Sequence, residues 1–123
     1  MRLRRIDPIE GEDKATEWGF PRKILTSDRL GHWFLFRWGV VWLEEVGLSN
    51  AWPVHLAVDP SYRKRGWPFL KAFKELQEVH ARGLSNGEPG ILYVLEGSKE
   101  IEPYLERLGF KRQSGLGIWY VEF

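Results

Sequence analysis

Pro53-Val54-His55-Leu56-Ala57-Val58-Asp59-Pro60-Ser61-Tyr62-Arg63-Lys64-Arg65-Gly66-Trp67-Pro68 decides how this chain is read. An apolar stretch with strand character runs into a basic, glycine-containing turn, and the turn opens directly into a helix-forming segment. The first backbone N–H groups of a helix have no intrahelical partner, and the helix dipole adds partial positive charge there. With Arg63, Lys64 and Arg65 beside it, such a turn suits a phosphate or pyrophosphate. A solvated basic turn between a strand and a helix is the other reading of the same residues.

The elements follow outward from this stretch. Upstream, Arg2 to Ile6 reads as a first strand. Asp7 to Arg22 is interrupted by Pro8, Gly11, Gly19 and Pro21, which leaves at most a short helix around Asp13 to Trp18. His32 to Trp38 and Val40 to Val46 are rich in aromatic and β-branched residues and meet at Gly39, as a hairpin or meander would. Gly47 to Asn50 is a turn, and Trp52 to Val58 is the next strand. Downstream, a helix is expected over Pro68 to Arg82, with Phe69, Ala72, Phe73, Leu76 and Val79 on one face. Pro68 suits the first helical turn, and Gly83 suits a C-cap. Ile91 to Leu95 reads as a buried strand. A last helix, capped by Ser98 or starting nearer Glu102 because of Pro103, ends at Gly109. Lys111 to Phe123 carries the final strand or strands, with a bend allowed at Gly115 and Gly117.

Two segments of this series resemble the GNAT superfamily of N-acyltransferases. Val58-Asp59-Pro60-Ser61-Tyr62-Arg63-Lys64-Arg65-Gly66-Trp67, followed by an amphipathic helix, is similar to the family's acetyl-CoA pyrophosphate loop, Gln/Arg-x-x-Gly-x-Gly/Ala. Arg63 and Gly66 match its first two fixed positions, and Pro68 stands at the third. Tyr104-Leu105-Glu106-Arg107-Leu108-Gly109-Phe110 resembles the family's aromatic-Tyr-x-x-Leu-Gly-Phe helix end. The resemblance spans roughly residues 32 to 123, and two motifs in the right order are more specific than either alone.

The resemblance implies a single α+β domain over residues 1–123. It has a mixed, mostly antiparallel central sheet, one splayed parallel strand pair and flanking helices. The splayed strands would be Trp52–Val58 and Ile91–Leu95. The backbone of Leu56, Ala57 and Val58 would face the pantetheine arm of acetyl-CoA, and Arg63, Lys64, Arg65, Gly66 and Trp67 would hold its pyrophosphate. The family has two helices between its first two strands, whereas this chain offers barely enough room for one. The N-terminal helical region is therefore expected to be shortened.

At the catalytic positions the chain departs from the family. The family's base is a Glu six residues before the last Val of the strand, and Trp52 stands there, unable to accept a proton. The family's acid is a Tyr four residues before the Gly of Leu-Gly-Phe. That position is Leu105, with Tyr104 one residue early, about 100° around a helix. The Asn at the helix start is replaced by Ser98. Tyr104 and Ser98 are therefore the implied catalytic candidates. Pro68 lacks an N–H, and one lost hydrogen bond to a charged acceptor is worth roughly 1.5–3 kcal/mol, about one to two orders of magnitude in affinity.

Other titratable residues have blander readings. His55 sits on the strand face opposite Val54, Leu56 and Val58, where a packed, hydrogen-bonded histidine is the commoner outcome. Glu44 and Glu45 read as a solvated strand end. Glu96, at the end of the second splayed strand, could act through a water. His80 near a helix C-terminus suits the dipole, and His32 begins a strand. No His, Asp or Glu cluster has metal-ligand spacing in the sequence, so no metal is expected.

Composition narrows the classes further. The 123 residues suit one domain with a modest core. With no cysteine, disulfides and thiolate metal sites are excluded. Eighteen Lys and Arg against 17 Asp and Glu leave a net charge of +1, which argues against general nucleic-acid binding. Met1-Arg2-Leu3-Arg4-Arg5 lacks the apolar core of a signal peptide, and no apolar run is long enough to span a membrane. A cytoplasmic location is the expectation. Seven tryptophans suit either a small core or a protein-contact surface.

Two functions remain open at this level. One is an N-acyltransferase that moves an acetyl group from acetyl-CoA to an amine acceptor. The other is a catalytically degenerate protein of the same fold that acts as a binding or structural component; in its small size the chain resembles some phage-encoded GNAT-like proteins, including internal virion components. Pairing through the aromatic terminal strand into a homodimer is compatible with either.

Overall fold

A computed structural model describes residues 3–62, 68–99 and 101–123. Among the described residues seven strands form one sheet: β1 (Arg4–Ile6), β2 (His32–Phe36), β3 (Gly39–Leu43), β4 (Ala51–Val58), β5 (Ile91–Leu95), β6 (Lys111–Gln113) and β7 (Ile118–Glu122), in the spatial order β1-β2-β3-β4-β5-β7-β6. Every neighbouring pair is antiparallel except β4 and β5. This is the mixed, mostly antiparallel α+β architecture expected from the sequence.

The parallel pair is short. Ala51, Trp52 and Pro53 of β4 pair with Ile91, Leu92 and Tyr93 of β5, and the ladder stops there although β4 continues to Val58. The other edge of β4 stays paired with β3 through Val58, opposite Gly39. Over Val54–Ala57, β4 therefore has one edge paired with β3 and, among the described residues, one edge without a strand partner. Backbone amides require hydrogen bonds, so that edge must face solvent or another group that can pair with it.

Period-two alternation divides the core between the two faces of the sheet. Phe34, Phe36, Val41, Leu43, Trp52, Val54 and Leu56 point to one face and pack against Phe69, Ala72, Phe73 and Leu76 of the helix that follows the basic turn. Trp33, Val40, Trp42 and Ala57 point to the other face, where Ala15 of α1 (Pro8–Glu17) covers them. Trp33 and Trp42 stack there with ring centroids 4.2 Å apart. With Trp52 also buried, three tryptophans are core residues rather than a contact surface.

The N-terminal helical region is larger than its prolines and glycines imply. Helix α1 begins at Pro8, not near Asp13. The Asp7 carboxylate caps it by accepting from the Glu10 N–H at 3.0 Å, and Pro8 occupies the first turn, where no N–H is required. Gly11 is no breaker either: it lets the helix approach the sheet so closely that an added Cβ would lie 2.2 Å from Trp33 Cε3. A second, one-turn helix, α2 (Thr26–Arg29), fits before β2. The expectation of room for only one helix fails because α1 needs no residues beyond Glu17.

The helix after the basic turn also departs from simple periodicity. It is α-helical over α3 (Pro68–Glu75), widens to π-helical turns over Leu76–Ala81, and returns to α-helix over α4 (Arg82–Leu84). The wider turn shifts the buried face, so Ala81 is buried and Val79, expected in the core, is 59% exposed. Gly83 lies inside the helix rather than capping it. The C-cap is Ser85; after it Asn86 and Gly87 take φ of 53° and 80°, and the Gly87 N–H donates to the Arg82 carbonyl at 2.9 Å. Among the described residues the expected last helix is a 3-10 turn over Glu102–Tyr104 with further turns to Gly109 (φ +88°). Ser98 does not cap it, since the N-cap is Ile101; the Ser98 carbonyl instead accepts from the Ile101 and Glu102 N–H groups. Pro103 limits this segment, as the sequence suggested.

Candidate functional site

Where β4 leaves β5, a groove of about 310 Å³ opens. Leu56, Ala57 and Val58 form one wall; Trp18, Gly19, Phe20 and Pro21, between α1 and α2, form the second. Lys99, Pro103 and Tyr104, after β5, form the third. The edge of β4 that has parted from β5 thus borders a cavity, and the chain segment carrying Tyr104 faces it. Leu56, Ala57, Val58 and Tyr104 are therefore brought together. Ser98 is not part of the groove wall, although its neighbour Lys99 is. Arg63, Lys64, Arg65, Gly66 and Trp67 lie outside the described residues.

The residues at the family's catalytic positions are structural here. Trp52 is 5% exposed in the core, with its indole Nε1 3.4 Å from Ser85 Oγ and its ring edge-on to His32 at 5.4 Å. Leu105 is fully buried. One residue of offset sends Leu105 into the core and leaves Tyr104 at the groove.

Beside the groove, on the α1 face, lies a polar cluster whose members are far apart in sequence. Asp28 of α2 is completely buried. Arg22 grips it with two hydrogen bonds, Nη1 to Oδ2 and Nη2 to Oδ1, both 2.8 Å. Trp42 Nε1 donates to Oδ1 and the Leu25 N–H to Oδ2, each at 2.8 Å, while Trp33 Nε1 donates to the Asp28 carbonyl. Burial pushes the Asp28 carboxyl up, but the hydrogen bonds from Arg22, Trp42 and Leu25 outweigh it and hold the group below the ordinary range.

Glu44, at the end of β3, is no solvated strand end. Its Oε1 lies 2.7 Å from His55 Nε2, and its Oε2 accepts from Ser27 Oγ at 2.6 Å. The hydrogen bond with His55, joined by that from Ser27, keeps its carboxyl below the ordinary range despite burial. His55 Nε2 is also 2.9 Å from Arg22 Nη2. Phe20 and Trp42 pack on the imidazole, with ring centroids 5.9 and 5.4 Å away.

Asp28, Glu44 and His55 bring donor atoms within 4.8 Å of one another, a cluster that linear spacing concealed. Its chemistry is that of an ion-pair network. Both Asp28 oxygens already receive protein donors, and the Arg22 guanidinium fills the positively charged position.

The sheet order, the single splayed parallel pair and the groove at the splay define a GNAT-like fold. Among solved structures, the chain is similar to the GNAT domain of PAT from S. lividans, with a TM-score of 0.53 and 14% sequence identity over 98% of this chain and 88% of that one. No protein-family model and no curated protein sequence matches the chain. Among the described residues, no helix is long and apolar enough to cross a membrane.

Proposed function

We propose that the protein is an N-acyltransferase that uses acetyl-CoA to acetylate an amine. The observation that carries this reading is the groove at the place where β4 parts from β5. A pantetheine arm contains two amides, and a strand edge that has parted from its neighbour suits them as a further strand would. Leu56, Ala57 and Val58 would hold that arm, and Arg63, Lys64, Arg65, Gly66 and Trp67 the pyrophosphate. When bound, acetyl-CoA supplies an activated acyl carbon. The protein's own part is to position the amine, take up its proton and exclude water. Tyr104, in the groove wall, suits the role of protonating the departing sulfur.

Calorimetric titration with acetyl-CoA tests the reading. Micromolar binding supports it. No binding at millimolar ligand would sink it and return the chain to the degenerate, partner-binding class. Arg63→Glu should weaken binding at least 30-fold with an unchanged melting temperature, because reversing a charge beside pyrophosphate replaces attraction with repulsion. Unchanged affinity in this variant would remove the basic turn from the binding site. Tyr104→Phe should lower kcat while leaving acetyl-CoA affinity intact, and an unchanged kcat would show that another group protonates the sulfur.

A further inference from the structure

Resting on the acyltransferase reading, we propose that His55, oriented by Glu44 through Nε2, takes the acceptor amine's proton at Nδ1 through a bridging water. This assigns a base on the strand face opposite Trp52. The geometry points to this tautomer. Nε2 lies 2.7 Å from a Glu44 oxygen, which as a carboxylate can only accept, whereas Arg22 Nη2 has one N–H on Asp28 at 2.8 Å and the same Glu44 oxygen at 3.5 Å as an acceptor for its other. Placing the proton on Nε2 satisfies Glu44 and leaves the Nδ1 lone pair bare. Among the described residues no group hydrogen-bonds to Nδ1, and it is not one of the fully buried polar atoms without a partner, so it keeps contact with solvent.

Position supports the role. His55 and Ala57 share one face of β4 two residues apart, about 7 Å along the strand. Ala57 lines the groove, and Phe20, which also lines it, packs edge-on against the imidazole at 5.9 Å. The charged groups facing His55 are Glu44, Arg22 and Asp28, whose Oδ1 is 3.8 Å from Nε2. Glu44 is itself a poor base, since Ser27, His55 and Arg22 surround its carboxylate and its proton affinity is lowered. An imidazole held in place by a carboxylate is the better-placed proton acceptor of the two.

The step balances. The protonated amine gives one proton through the water to Nδ1. Its nitrogen then forms the C–N bond to the acyl carbon as the C–S bond breaks with its electron pair on sulfur. The nitrogen's surplus proton ends on sulfur, and the imidazolium returns the first proton to solvent.

Two measurements test this. Long-range proton–nitrogen NMR of the ligand-free protein, with the His55 signals assigned by their absence in His55→Gln, should show the Nε2–H tautomer; an Nδ1–H tautomer would overturn the proposal. In acetyl transfer from acetyl-CoA to a panel of primary alkyl amines, His55→Gln should lose roughly 100-fold or more in kcat, in line with general-base contributions. KM for acetyl-CoA should stay within about threefold, and the pH dependence of kcat should change. Unchanged kcat, or an unchanged pH profile, would overturn the base assignment while leaving the acyltransferase reading intact. If His55→Gln fails to fold, Glu44→Gln carries the same test, with mixed tautomers and a smaller kcat loss expected. Wild-type protein that does not bind acetyl-CoA would overturn both the proposal and the reading beneath it. Binding without transfer to any amine would overturn both the base assignment and the acyltransferase reading.

Discussion

Asp28→Ala is expected to destabilise the domain by about 2–4 kcal/mol, because it leaves buried donors without an acceptor at about 1–3 kcal/mol each, while the partly exposed Arg22 can turn to water. The substitution strips acceptors from both Arg22 nitrogens, from Trp42 Nε1 and from the Leu25 N–H, all within 2.8 Å of the carboxylate. Trp42 is fully buried, so its indole N–H cannot turn to water. Total stabilities of domains lie at roughly 5–15 kcal/mol, so this single change removes much of the margin. Urea denaturation reads the effect directly. Asp28→Asn keeps one acceptor oxygen and should cost less. A loss below about 1 kcal/mol for Asp28→Ala would mean that Arg22 and Trp42 find other partners and that the cluster does not organise this face.

The same cluster sets the response to acid. Asp28 and Glu44 titrate below the ordinary carboxylate range in the folded protein. A depressed folded value means that the unfolded chain binds protons first as pH falls. Their contribution is complete above the ordinary range near pH 4 and is lost progressively below it, as pH drops toward the folded values. Melting temperature should therefore hold near neutrality and fall steeply below about pH 4.5, and Asp28→Asn should flatten that slope.

Much of the sheet was legible in the chain because its signals are local. Trp33-Phe34-Leu35-Phe36 and Val40-Val41-Trp42-Leu43 alternate between the two core faces, and Arg37-Trp38 closes the hairpin between Phe36 and Gly39. The splayed pair and Leu56–Val58 beside the groove followed from the strand–turn–helix pattern and its resemblance. The polar cluster was not legible, because Arg22, Asp28, Glu44 and His55 come from a connection, α2, β3's end and β4. Only the finished fold gives His55 its partners. The nearest sequence signal was a buried-type strand containing one histidine, which demands a polar partner somewhere without naming it. The start of α1 was misplaced for another reason: Pro8 and Gly11 look like breakers unless the cap at Asp7 and the contact with Trp33 are known. The π-helical turn has no comparable local signal, and its effect on Val79 and Ala81 is a tertiary outcome.

Gly11→Ala separates those two views of α1. On helix propensity alone the substitution should stabilise by about 1 kcal/mol, since alanine is the better helix former. Packing predicts the reverse. The new Cβ would lie 2.2 Å from Trp33 Cε3 and 2.6 Å from Cδ2, and Trp33 has little room to retreat because it stacks on Trp42 and its Nε1 is tied to the Asp28 carbonyl. Overpacking of this kind costs about 1–3 kcal/mol, so the net effect should be a loss. The helix must then move off the sheet. Its C-terminal end leads directly into Trp18, Gly19, Phe20 and Pro21, so the displacement widens the groove whose other walls are β4 and the Tyr104 segment. The variant should therefore lose both stability in urea and affinity for acetyl-CoA. A gain in stability would mean that Trp33 yields easily. A loss of stability with unchanged affinity would mean that the Trp18–Pro21 wall is held by its own contacts, Phe20 against Trp42 at 4.7 Å foremost among them, rather than by the seating of α1.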